Sequence, residues 1–300
     1  MKIVLEEQGL RDGFQTLDKV VPTETKLRYI DMLVEAGLKR IQVASFVHPK
    51  YVPQMADADE LCRQLKPQEG VIYSGLVLNL KGVERGLDSG LKHLACSISA
   101  SDTHSQKNAR MTLDEAKSNF KEMVKVSKAA GITVRGGIQC AFGCRFEGKI
   151  APEHVLDMVD HHLDSGIDEL ALADSTGMGN PKDLGELMEK VVARAKGIPV
   201  VLHLHNTENK GYANLVAAVM AGVKIFDTAF GGLGGCPFIK SATGNIATED
   251  TVNVLEQMGY DTGIDIKKVA GISKEMEQFL GNSLPGQLYD LGDKTDIKRI

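Results

Sequence analysis

GIPVVLHLH, residues 197 to 205, carries both the fold and the first sign of chemistry in this chain. It opens on a glycine, where a helix that has just ended would take a left-handed residue. An apolar, β-rich run follows, and it closes on two histidines two residues apart. Side chains two apart on a strand point to one face, so His203 and His205 are expected side by side.

The same pattern recurs outward in both directions. Gly37 stands before KRIQVASF, Gly70 before VIYSGLVL and Gly90, after one leucine, before KHLACSI. Gly131 precedes ITVRGGIQ, Gly166 precedes IDELALAD, and Gly222 precedes VKIFDTAF. Helix starts lie between these runs. Thr112-Leu-Asp-Glu115 reads as a capping box, Pro152 and Pro181 suit a first helical position, and Thr248-Glu249-Asp250 opens another helix. With IVLEE near the start, the strands number eight. Strands alternating with helices imply parallel pairing, and eight of them imply a closed (β/α)8 TIM barrel of the α/β class. An open doubly wound sheet would usually carry a Gly-rich phosphate loop after its first strand, where this chain has QGLRDGFQ. No linker interrupts the series, so residues 1–300 read as a single domain. One added C-terminal helix is expected from about residue 264, with a polar end at DKTDIKRI.

Composition is that of an ordinary globular protein, 43% hydrophobic and 25% charged. The net charge of −5 and the absence of a basic run argue against nucleic acid. No apolar stretch approaches the ~18 residues that span a bilayer. A strand-like run directly after Met1 leads to the expectation of a cytoplasmic protein with no leader peptide, and its five cysteines fit reduced thiols. Cys140 and Cys144 lack the second cysteine pair a zinc site would need, and are expected to be structural.

In this fold catalytic groups gather where the strands end. Arg11 and Asp12 follow strand 1, Gln42 lies near the exit of strand 2, and SASD (99–102) follows strand 4. Strand 6 ends at Asp174, and strand 8 leads into GGLGGCPFIKSATGNIATED (231–250), with Cys236 among glycines and Asn245 beyond. Two inward histidines beside a carboxylate outline a metal site. The alternative is a pair of hydrogen-bonded core histidines, an Asp174 that caps a helix, and an Arg11-Asp12 pair in a solvated turn.

The stretches RDGFQ, SFVHPKYVPQM, CAFGCRFEGKI, HLHNT and GLGGCPFIKSATGNIATED resemble the 3-hydroxy-3-methylglutaryl-CoA lyases, metal-dependent TIM-barrel lyases related to isopropylmalate synthase. The likeness runs from residue 5 to about residue 270. It implies a divalent cation, Mg²⁺ or Mn²⁺, on Asp12, His203, His205 and Asn245. It also implies catalytic roles for Arg11, Asp174, His203 and Cys236, and a place for Glu249 near the metal. The implied reaction is retro-Claisen cleavage of a CoA thioester to acetyl-CoA and a keto acid, by a homodimer with no nucleic-acid or membrane partner. The chain departs from the family at several positions. Gln42 stands where the family has a glutamate that pairs with the arginine, and EQGLRDGFQTL replaces EVGPRDGLQNE. VLNLKG (77–82) replaces TPNLKG, and CPFI replaces CPYA. Such changes suggest the same chemistry on a different 3-hydroxyacyl-CoA, with a Claisen-type synthase or a catalytically impaired homologue as further alternatives.

Overall fold

The computed structural model describes residues 1–235 and 244–290. Its strands are β1 (Val4–Glu7), β2 (Arg40–Ser45), β3 (Ile72–Val77), β4 (His93–Ser99), β5 (Thr133–Gln139), β6 (Glu169–Asp174), β7 (Val200–Leu204) and β8 (Ile225–Thr228). Around them run α1 (Thr23–Glu35), α2 (Ala58–Gln64), α3 (Leu80–Asp88), α4 (Asp102–Ala109), α5 (Leu113–Ala129), α6 (Pro152–Asp164), α7 (Pro181–Ala195), α8 (Gly211–Met220), α9 (Thr248–Gln257) and α10 (Ile266–Leu280). The strands pair in parallel in chain order. They close where β1 meets β8 through Leu5–Phe226, Glu6–Asp227 and Glu7–Thr228. Each strand read from the sequence is present, and the architecture is the expected TIM barrel.

The local reasons are those the sequence offers. On α5, Glu115 N donates to Thr112 Oγ1 at 3.3 Å and Thr112 N donates to Glu115 Oε2 at 2.8 Å, closing the capping box. The helix then buries Ala116, Phe120, Met123, Val124 and Ser127, a helical stripe against the sheet. Gly37 shows why a glycine follows the helix. Its φ is +102°, and a Cβ there would collide with the carbonyl of Gly263. The added C-terminal helix is α10, packed on α1 and α9. The stretch DKTDIKRI lies outside the described residues. No helix among the described residues is long and apolar enough to cross a membrane.

Two features at the strand ends were not read from sequence. A short extra helix, α4, precedes α5 after β4. Residues 244–247 also lie against the barrel, His205 pairing with Asn245 and Ala229 with Ala247.

The lumen is unusual for this fold, whose interior is commonly filled by branched apolar residues. Its lower level holds Glu6, Arg40, Arg135, Glu169 and Asp227, all buried. Arg40 makes a two-pronged contact with Glu169 at 2.7 and 2.6 Å and reaches Glu6 at 2.7 Å. Arg135 bonds Glu6, Glu169 and Asp227. Burial would raise the Glu6 carboxyl, but the two guanidiniums hold it down to about 2.

Candidate metal centre at the barrel mouth

Above that ionic level, β7 aims His203 and His205 into the lumen, as the period of two requires. Their Nε2 atoms stand 3.0 Å apart. The orientation of His203 is set from below, because its Nδ1 meets Asp227 Oδ2 at 3.2 Å, which leaves Nε2 facing the mouth. Asp12 completes the group, with Oδ2 3.5 Å from His205 Nε2. Ligating atoms of Asp12, His203 and His205 all lie within 4.8 Å of one another. Burial would raise the Asp12 carboxyl, but Arg11 and the two histidines outweigh it, so it stays well below the usual carboxylate range.

Arg11 and Asp12 are presented by a wide turn, Gly9–Gly13, in which Gly13 N bonds Gln8 O at 3.1 Å. Such i→i+5 turns recur at functional sites. Asn245 arrives on the segment paired with His205. Its Nδ2 donates to Asp12 Oδ2 at 2.8 Å and to Leu233 O at 2.9 Å, which fixes the amide. Its Oδ1 is then buried without a partner among the described residues. An unsatisfied buried oxygen is costly, and a cation would satisfy it. The donor set of one carboxylate, two imidazoles and one amide oxygen suits a divalent metal with open positions.

Gly234 accounts for part of the glycine-rich stretch. Its φ is +127°, and a Cβ there would strike Asn245 Nδ2 and lie 3.2 Å from Asp12 Oδ2. Only a bare backbone can pass this close to the site. Cys236 lies outside the described residues.

Arg11 is held in a way the sequence showed only in part. Nε donates to Gln42 Oε1 at 2.5 Å and Nη2 to Gln8 Oε1 at 2.8 Å, while Nη1 pairs with Asp12. Its anchors on β1 and β2 are therefore two neutral amides. Asp174 is fully buried and does not line the mouth cavity. Its Oδ2 accepts from Gly179 N at 3.0 Å, and burial pushes its carboxyl up to about 6, partly offset by His205. Glu249 does not reach the metal group either. It accepts from Gly231 N at 3.0 Å and from Ser273 Oγ, and burial pushes it up to about 7. The sequence reading passed over Asp227 and Arg135. Each is a charged residue at an inward position of a mostly apolar strand, and that was the available signal.

A cavity of about 930 Å³ opens over the centre. Arg11, Asp12, Gln42, His203 and His205 line one side, small residues of β4 to β6 the other, and Tyr51, Lys107 and Arg110 the rim.

The model of the HMGL-like family matches residues 2–276. A hydroxymethylglutaryl-CoA lyase of Bacillus subtilis is 35% identical over 95% of this chain and 96% of its own length. An (R)-citramalyl-CoA lyase of Chloroflexus aurantiacus is 38% identical over 97% of this chain and 95% of its own. Among solved structures, an HMG-CoA lyase of Acinetobacter baumannii in complex with coenzyme A and 3-methylmalate superposes with a TM-score of 0.94. It is 38% identical and covers 100% of this chain and 98% of its own.

Proposed function

The chain belongs to the HMGL-like family, and from that premise we propose that it cleaves a 3-hydroxy-3-methylglutaryl-CoA-type thioester to acetyl-CoA and a keto acid. The observation that carries this reading is the buried group of Asp12, His203 and His205, whose ligating atoms lie within 4.8 Å of one another, with Asn245 bonded to Asp12 and its Oδ1 without a partner among the described residues. Its relatives are carbon–carbon lyases acting on CoA thioesters. Asp12, His203, His205 and Asn245 would hold Mg²⁺ or Mn²⁺, which acidifies the substrate's tertiary hydroxyl and orients the neighbouring carboxylate when bound.

The remaining roles fall to the protein. Arg11, fixed by three side chains, faces the position where negative charge develops on the thioester oxygen as the C–C bond breaks. Preorganised donors of this kind cost no reorientation at the moment of reaction. Asp174, with a carboxyl near 6, is suited to accept the hydroxyl proton near neutral pH. Asp174 lies behind the cavity wall, whereas His203, the other candidate for relaying this proton, lines the cavity. Cys236 is assigned the return proton to the departing enolate, and the chain is assigned a homodimeric state.

His205→Ala tests the reading. It should lower Mn²⁺ affinity, read by electron paramagnetic resonance, by at least tenfold and abolish acetyl-CoA release from the hydroxymethylglutaryl thioester. Unchanged Mn²⁺ binding in that variant overturns the metal centre. Failure of the wild-type enzyme with Mg²⁺ or Mn²⁺ to cleave any 3-hydroxy-3-alkylglutaryl- or citramalyl-type thioester overturns the lyase assignment.

A further inference from the structure

We propose that the lumen beside the metal centre is hollowed to take, on the substrate's carbinol carbon, an apolar substituent longer than methyl. This rests on the lyase reading above and names the substrate class within it.

The observation is one of register. On three adjoining strands, Ser97, Gly137 and Ala171 sit side by side at one level of the lumen. The level below holds Ala95, Arg135 and Glu169. Ala173 pairs with His203, so the small residues run without a break up to the metal ligands. TIM-barrel interiors are ordinarily filled at these positions by branched side chains. On β6 the smallness is confined to the inward parity. On β6 the outward residues Leu170 and Leu172 are full-sized and fully buried, while the inward ones are Ala171 and Ala173. The β5 backbone is bare at Gly137 because Ser97 Oγ leans over it, and a Cβ there would collide with that oxygen. Leu76 and Leu78 line the same cavity and add hydrocarbon beside these small residues, with Ser97 and, a level below, Arg135 as its polar members.

A methyl group beside His203 leaves most of that wall uncovered. A propyl group would reach across Ala173 to the level of Ala171 and Ser97 and remove its own methylenes from water. Two buried methylenes correspond to about a tenfold gain in affinity.

The test uses binding, without turnover. Unreactive 3-methyl- and 3-propylglutaryl-CoA analogues, which lack the hydroxyl, are titrated calorimetrically into the Mg²⁺-loaded enzyme. We expect the propyl analogue to bind the wild-type enzyme about tenfold more tightly than the methyl one. That ratio should fall to unity or below in Ala171→Leu and, independently, in Ser97→Leu, each first shown to melt cooperatively. Equal or weaker propyl binding in the wild-type enzyme overturns the proposal, as does a preference that survives both substitutions. Cleavage of the hydroxylated counterparts is assayed alongside. An enzyme that cleaves the methyl compound but shows no propyl preference sinks the hollow alone. One that prefers propyl yet cleaves neither sinks the lyase reading alone.

Discussion

Gln42 and Gln8 hold two of the Arg11 nitrogens through neutral amides, while Asp12 pairs with the third. A glutamate at position 42 would neutralise the guanidinium; an amide oxygen accepts the same hydrogen bond without doing so. Among the described residues Asp12 alone pairs with Arg11, and Asp12 is also engaged with the histidines. A positive charge only partly offset by Asp12 thus lines the cavity that takes an anionic thioester. Gln42→Glu is expected to shift the ratio of kcat/KM between the hydroxymethylglutaryl thioester and the best alternative substrate by tenfold or more, about 1.4 kcal/mol. An unchanged ratio would place specificity elsewhere in the pocket, with Leu78 next; Leu10 and Phe14, which also depart from the family, are buried in the core and do not line the cavity. The sequence marked Gln42 but did not connect Gln8 to it, because contact between β1 and β2 side chains depends on register. Asp174 is the converse case. Its position at the end of β6 was legible, but Ala171, Ala173 and Ser175 take the inward parity, which turns Asp174 to the far side of the strand.

At the scale of elements, the root of the glycine-rich stretch is clasped by α9 and α10. Glu249 opens α9, takes Gly231 N and is gripped by Ser273 of α10. Glu7 at the end of β1 takes Gly9 N, Phe230 N and Thr248 Oγ1. Burial raises each carboxyl from 4.5 to about 7. Both acids are neutral in the folded and unfolded chain below about pH 4.5. Between there and pH 7 the unfolded chain ionises first, so their stabilising contribution is lost as pH rises through the folded value. Glu249→Gln cannot ionise. Relative to wild type it should gain stability between pH 5 and pH 8, by on the order of 3 kcal/mol in urea melts. A pH-independent difference between the two proteins would show that Glu249 is charged in the fold. The family likeness suggested a place for Glu249 near the metal. A position on a helix start is visible in sequence; the direction of a carboxylate is not.

Across the whole molecule, the ionic level of the lumen joins β1, β2, β5, β6 and β8 through Glu6, Arg40, Arg135, Glu169 and Asp227. It also touches the metal centre through Asp227 and His203. Removing one partner of a buried ion pair leaves the others uncompensated. Arg135→Met should therefore lower unfolding free energy by about 3–5 kcal/mol, measured by denaturant titration. A loss below about 1 kcal/mol would mean that Arg40 alone satisfies the carboxylates. The eight-strand architecture was legible because each strand is bracketed by a helix-ending glycine and an apolar run. The charged lumen was not, since an inward charge on a strand looks like any polar interruption until its partners on distant strands are known.

Those partners have a consequence in time. Glu6 waits for Arg40 and then for Arg135, 129 residues beyond Glu6 itself, and β1 has no second neighbour until β8 is made. At ribosomal speeds of about 5–20 residues per second, the first strand spends roughly ten seconds or more as an unsealed edge carrying an uncovered acid. Each nascent chain must keep that edge from other chains until its own last strand emerges. Arrested chains ending before Ile225 should accordingly be digested readily by protease, and chains extended past α10 should resist it. Resistance already present in the shorter chains would mean that the first strands are sheltered before the ring is complete.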